Sequence, residues 1–337
     1  MGKLRKYFDG NALWLSMLIG ALGYKWLLPL KPTLPVWIFF MLFFTFCKVN
    51  PLDLRLHKWH WVVLTLQLLM SIGVYYGLMA LTGNAILAQG LLLCFIMPTA
   101  TAAPIIAGKL GGSIQNLTSF TLLSNFATAI IVPALFPLIN PAADMTFWSA
   151  FLLILSRISP LLLGPFFAAW LLRLSYNAFQ KSKNPETPKS FELPKSLAVV
   201  PFYLWVCSII VLSATVTETT ISNLQSQMSN MLILLASSFL SCLFQFGLGK
   251  LIGYYLPAPS KGRDYQDVLI NPAAAPKTMA GVSSITAGQA FGQKNTSLGV
   301  WMAQTYLNPL AALGAAAYII WQNLFNSVQL SLAAHKK

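Results

Sequence analysis

Two stretches of this chain, Leu64 to Ala88 and Leu110 to Ala143, contain no charged residue. An apolar run of about 20 residues has one common physical explanation, a helix whose whole circumference meets lipid or other apolar helices. The composition agrees. Of 337 residues, 56% are hydrophobic and 9% are charged, whereas a soluble domain carries about 25% charged residues. The expected class is an all-α membrane protein.

The formal net charge is +14, which in a soluble protein would suggest nucleic acid. Here the basic residues fall in short clusters between apolar runs, without a nucleic-acid-binding motif. Clusters of this kind set membrane topology and touch anionic headgroups. Cys47, Cys94, Cys207 and Cys242 are scattered singly, so they read as buried free thiols and not as a metal or redox motif. His57 and His60 stand one helical turn apart beside Lys58. They could hold a metal, but a solvated or lipid-facing pair is the plainer reading. Neither metal nor cofactor is expected.

Charges, prolines and polar clusters divide the chain into ten apolar segments, at about 12–30, 33–49, 60–82, 85–110, 115–139, 147–175, 195–217, 229–256, 278–305 and 307–332. The first is read as a retained helix and not as a cleaved leader. With the N-terminus inside, the inner loops collect Lys3, Arg5, Lys6, Lys48, Arg55, Lys58, Lys109, Arg173, Lys181, Lys183, Lys189, Lys195, Lys250, Lys261, Arg263, Lys336 and Lys337. The outer loops keep Lys31, Asp144 and Glu218. So one-sided a basic bias is what the positive-inside rule expects of a correct helix count, and it places both termini in the cytoplasm. The expected location is the plasma membrane, a bacterial inner membrane.

Five segments precede Asn140 and five follow it. Because five is odd, the halves (1–140 and 141–337) must enter the membrane from opposite sides, as inverted repeats do. The fourth segment of each half is interrupted in a similar way. One contains Pro98-Thr-Ala-Thr-Ala-Ala-Pro104 before Gly111-Gly112, and the other runs Gly288-Gln-Ala-Phe-Gly292-Gln-Lys-Asn295-Thr-Ser297. Small, hydroxyl-bearing and helix-breaking residues expose backbone that lipid cannot satisfy, so such breaks line a polar cavity and mark a midplane substrate site. An ordinary proline kink plus an extramembrane loop is the alternative. Residues 176–195 read as a water-loving linker, and the glycine pairs 73/77, 108/112, 249/253 and 288/292 fit close helix packing.

At these residues the chain resembles the bile-acid/sodium symporter (SBF or BASS) family. The resemblance rests on Pro98 to Ser113, on Thr121 and Pro133, and on Gly292-Gln-Lys-Asn-Thr-Ser297. It implies a panel of helices 1, 2, 6 and 7 beside a core of helices 3, 4, 5, 8, 9 and 10. In the core, broken helices 4 and 9 cross, and alternating access proceeds at the crevice between panel and core. The substrate and crossover residues would then be Thr99, Thr101, Pro104, Gln289, Gln293, Lys294, Asn295 and Thr296.

The chain departs from the family at its sodium ligands. The family's Ser-Asn pair falls on Ala103 and Pro104, a later serine on Leu117, and the shared acid on Ala290 or, with an insertion, on Gln289. A family glutamine becomes Lys294. Only Gln67, Thr121 and Gln289 remain for a residual cation site. Sodium prefers several oxygen ligands, usually with an anionic one. An ammonium deep in a bilayer normally faces a cavity and has a partner. Lys294 is therefore expected to replace bound sodium; the alternative places it at the outer mouth.

The expected function is secondary transport of a small organic anion without sodium. Sodium symport, passive uniport or channel activity, and membrane-embedded enzymology are the alternatives. An enzyme is not expected, because no GxSxG, HExxH or intramembrane aspartate pair occurs. The anion and membrane lipids are the expected partners, nucleic acid is not, and a monomer is expected. Arg157 could attract an anion or form a structural contact, and Lys25 is read as snorkelling to the surface.

Overall fold

The structure is a computed structural model describing residues 12, 14–49, 54–141, 145–183, 191, 193–194, 196–197, 199–258 and 278–335. All its regular elements are helices. Residues 14–22 are helical. They are followed by α1 (Tyr24–Leu27), a 3-10 stretch (Leu28–Thr33), α2 (Leu34–Phe46), α3 (Lys58–Thr82), α4 (Ala85–Ile96), α5 (Ala103–Leu110) and α6 (Ile114–Ile139). Then come α7 (Phe147–Lys183), α8 (Val200–Tyr255), α9 (Met279–Gly292), α10 (Thr296–Tyr306), a 3-10 turn (Pro309–Ala311) and α11 (Ala312–His335).

Local chemistry sets many of these ends. Gly83 and Gly111 take left-handed backbone (φ 62° and 88°) after α3 and α5, a conformation that glycine adopts at least cost. Asn84 accepts from Leu87 N to start α4, Ser113 from Asn116 N to start α6, and Asn295 from Leu298 N to start α10. Each supplies an acceptor for a backbone N–H that the helix itself leaves unpaired.

Five stretches among the described residues are long and apolar enough to cross a membrane: Tyr24–Phe46, Lys58–Thr82, Ile114–Ile139, Phe147–Lys183 and Val200–Tyr255. Their outer surfaces carry Trp26, Leu81, Leu240 and Tyr255 exposed, an arrangement that water would penalise and lipid favours. The chain is an α-helical membrane protein.

Several segment limits differ from the sequence expectation. Helix α7 continues through 176–183, where a linker was expected; residues 184–190 lie outside the described residues. Segments seven and eight form one element, α8, interrupted by non-helical backbone only at Gln227 (φ −128°, ψ 17°). Glu218 is thus helical, not in a loop. Its polar neighbours turn back on their own helix, Thr219 Oγ1 donating to Thr215 O and Thr220 Oγ1 to Val216 O, so local polarity does not stop the helix. Of the expected basic loops, Lys3, Arg5, Lys6, Lys189, Lys195, Lys261, Arg263, Lys336 and Lys337 lie outside the described residues, as does Asp144.

The chain divides into two compact units, 1–51 with 142–223 and 52–141 with 224–337. In the first, α2 packs along α7 through an edge-to-face Phe46–Phe166 pair at 5.8 Å. Arg173 Nη2 donates to Cys47 O at 3.1 Å, and Gly164 lets Phe39 approach closely. In the second, α3 and α11 both pack on α4, and α9 lies against α5 and α6. Its buried core includes Trp59, Phe95, Phe120, Phe246, Phe291 and Tyr318.

The glycine pairs behave unequally. A Cβ on Gly249 would lie 2.5 Å from Ala287 O, and one on Gly253 would strike the Ser283 carbonyl, so this pair does bring two helices together. On Gly73 or Gly77 a Cβ would meet nothing within 4 Å. Among the described residues that pair is not a packing surface.

Candidate functional site

The two interrupted segments meet inside the second unit. Helix α4 ends at Ile96 and α5 begins at Ala103; α9 ends at Gly292 and α10 begins at Thr296. The linking strands pair antiparallel at Thr99 and Lys294. Ala100 N donates to Gln293 O at 2.9 Å, and Asn295 N donates to Pro98 O at 2.8 Å. Each break thus satisfies part of the other's exposed backbone, which must be paired when it is buried this deeply.

The remaining carbonyls are held by side chains from neighbouring helices. At the end of α4, Gln245 Nε2 donates to Cys94 O (3.1 Å), Lys294 Nζ to Phe95 O (3.0 Å), and Gln67 Nε2 to Ile96 O (3.3 Å) and Met97 O (3.1 Å). At the end of α9, Thr99 Oγ1 donates to Ala290 O (2.7 Å) and Tyr318 Oη to Gly292 O (2.8 Å). Gln322 clamps Lys294 itself, its Oε1 accepting from Lys294 N at 2.9 Å and its Nε2 donating to Lys294 O at 3.2 Å.

Lys294 is completely buried, with its ammonium 5.1 Å from the centre of the Phe291 ring. A helix C-terminus carries about half a negative charge. Both α4 and α9 end at this crossing, so a fixed cation on the Phe95 carbonyl offsets their dipoles. Among the described residues the second unit contains no Asp or Glu, so the ammonium has no carboxylate partner there. The cation is met by carbonyl dipoles and an aromatic face. Lys294 is thus enclosed within the unit and not exposed at its surface.

The other expected residues are distributed as follows. Gln289 Nε2 donates to Asn326 Oδ1 at 3.0 Å, and the Gln293 side chain and Thr296 are buried beside the crossing. Thr101 is half-buried in the turn before α5, where Pro104 occupies the first helical turn and needs no N–H partner. Thr121 is buried, its hydroxyl donating to Leu117 O of its own helix, and Gln67 Oε1 has no hydrogen-bond partner among the described residues. Leu117 and Ala103, at two positions where the family resemblance requires oxygen, are both fully buried.

Two sequence readings are corrected away from this crossing. His60 is fully buried; its Nδ1 accepts from His57 N (2.9 Å) and its Nε2 meets Asn116 O (3.0 Å), so the half-buried His57 and the enclosed His60 cap α3 and do not form a solvated or lipid-facing pair. Among the described residues no cluster of metal-ligating side chains forms. Cys207 is exposed, while the other three cysteines are buried.

Sequence reasoning did not single out Tyr318, Gln322, Asn326 or Gln245. The first three recur at every fourth position of one helix, a legible signal of one polar face. An apolar groove of about 450 Å³ also belongs to this unit, lined by Gly73, Gly77, Leu81, Phe95, Leu240 and Phe244 among others. Phe95 contributes to both features, lining the groove and giving its carbonyl to Lys294. No protein-family model matches the sequence, and no curated protein matches it either.

Proposed function

We propose that this chain is a secondary transporter of a small organic anion, similar to the bile-acid/sodium symporters, in which Lys294 takes the place of bound sodium. The observation that carries this reading is the Thr99–Lys294 crossing with the lysine ammonium on the Phe95 carbonyl. Two broken helices that exchange backbone hydrogen bonds are costly to build in lipid and are tolerated where a transporter needs an exposed polar backbone. A tethered ammonium neutralises the helix ends as an ion would, and it attracts an anion through the low-dielectric interior.

Ten spans in two inverted five-helix repeats accommodate the described helices when the 3-10 stretch Leu28–Thr33 is taken as the turn between the first two spans, α4 with α5 and α9 with α10 each count as one broken span, and α8 counts as two. The two units, 1–51 with 142–223 and 52–141 with 224–337, correspond in sequence to the panel and core that the resemblance implies. On this reading the protein resides in a bacterial inner membrane with both ends cytoplasmic and is not an enzyme. The lack of any Asp or Glu among the described residues of the second unit favours sodium independence over sodium symport.

The test is uptake of radiolabelled organic anions into proteoliposomes. Replacing sodium by potassium should change wild-type uptake little, whereas Lys294→Gln should abolish or strongly reduce it. Collapse of wild-type uptake without sodium, or normal transport by Lys294→Gln, would refute the assignment.

A further inference from the structure

The amides between α9 and α11 leave polar atoms over. With Gln289 Nε2 donating to Asn326 Oδ1, both Gln289 Oε1 and Asn326 Nδ2 are buried without a hydrogen-bond partner among the described residues. Gln329 Nε2, one turn further along α11, is in the same condition. Reversing the first two amides does not remove the difficulty, because one donor and one acceptor remain unpaired in either assignment. Buried groups of this kind are normally completed by bound water.

These residues form a continuous polar face. Tyr318, Gln322, Asn326 and Gln329 follow one another on α11 at intervals of four, four and three, which spans roughly 16 Å of helix. Tyr318 binds the end of α9, Gln322 clamps Lys294, and Asn326 holds Gln289. The face therefore begins at the crossing and leads toward the C-terminal end of α11.

We propose that the seam between α9 and α11 holds a file of bound water that carries protons between Lys294 and the Gln329 end of α11. The proton role rests on the reading of Lys294 as the coupling cation. In this step Lys294 Nζ gives one proton to a water of the file and becomes a neutral amine, and a proton returning along the file restores the ammonium. The titratable neighbour of Lys294 is Cys94 from α4, which in turn lies near Cys242 from α8 and Tyr318 from α11. Lys250 of α8 is the charged group beside the seam, next to Gly288 and 5.5 Å from the Phe325 ring centre. With no carboxylate among the described residues of the unit, water and amides are the available carriers.

Hydroxyl-radical footprinting of the full chain in nanodiscs tests the file, because radicals formed from bound water oxidise adjacent side chains even when these are buried. Tyr318 should be oxidised in the wild type while Tyr75, buried against the Ile139 carbonyl, is spared. Labelling of Tyr318 should fall severalfold in the double variant Gln289→Leu/Asn326→Leu and persist in Asn326→Asp. A Tyr318 as unreactive as Tyr75, or one labelled equally in the double variant, overturns the file. The proton route is read separately in proteoliposomes. Uptake driven by a pH gradient should fall severalfold in the double variant, while exchange of labelled for unlabelled anion at equal pH continues. Wild-type uptake indifferent to the pH gradient overturns the route and the coupling role of Lys294, and leaves the file to the footprint.

Discussion

The Lys294 ammonium donates to the Phe95 carbonyl at 3.0 Å, a bond between residues 199 positions apart. It joins a side chain of the second broken helix to the end of the first, so the two breaks share a cation as well as backbone bonds. The position is fully enclosed, which separates charge from fit. A guanidinium is larger, planar and branched, and it cannot take the place of a compact ammonium at a single carbonyl. Lys294→Arg should therefore transport no better than Lys294→Gln in proteoliposome uptake. Recovery by arginine would mean that charge alone suffices and that the Phe95 contact is incidental.

Glycine substitutions should separate packed surfaces from unpacked ones. Gly249 faces Ala287 O at 2.5 Å and Gly288 Cα at 2.9 Å from where a Cβ would stand, and both are backbone atoms that cannot swing aside. Gly249→Ala should push α8 off α9 and lower the thermal midpoint in detergent. Gly77→Ala meets open space in the interior of α3, where alanine is favoured over glycine by about 0.5–1 kcal/mol. It should leave the midpoint unchanged or raise it. Loss of stability in Gly77→Ala would reveal a partner on that face.

The breaks were legible in the sequence because their chemistry is local. Pro98, Gly111, Gly292 and Asn295 each impose or tolerate a particular backbone, and their density within apolar segments betrays a departure from helix. The partners of the breaks were not legible. Phe95 contributes only a carbonyl, and nothing in one dimension distinguishes it from its neighbours. Gln322 and Tyr318 announce a polar face but not what that face meets. The end of segment seven was misplaced because Thr219 and Thr220 look like loop residues, yet their hydroxyls bond to the preceding turn and let α8 continue.

The charge distribution carries a topological expectation. If both ends are cytoplasmic, Lys183 at the end of α7 and Lys31 in the 3-10 stretch before α2 face opposite sides of the membrane. Single cysteines at Lys31→Cys and Lys183→Cys, probed in intact cells with a membrane-impermeant maleimide, should label at 31 and remain protected at 183 until the cells are permeabilised. Equal labelling at both positions in intact cells would break the ten-span assignment.

Gln322 provides the sharpest test of how the crossing is held. Its amide accepts from Lys294 N at 2.9 Å and donates to Lys294 O at 3.2 Å, so one side chain satisfies both backbone groups of a residue lying between two helices. Lys294 is fully buried, so bulk solvent does not reach those groups. Gln322→Leu keeps the approximate volume but removes both bonds. Thr296 N still donates to Lys294 O at 2.9 Å, so only Lys294 N is left unpaired. A buried unpaired group costs about 1–3 kcal/mol, and the substitution should cost that much in reversible unfolding from detergent micelles. Gln322→Asn, one methylene shorter, should recover at most one bond and fall between leucine and the wild type. Uptake should follow the same order, because the clamp fixes the backbone from which the ammonium reaches Phe95. If Gln322→Leu unfolds at the wild-type midpoint and transports normally, the flanking bonds from Ala100 N to Gln293 O and from Asn295 N to Pro98 O hold the Lys294 backbone without the clamp.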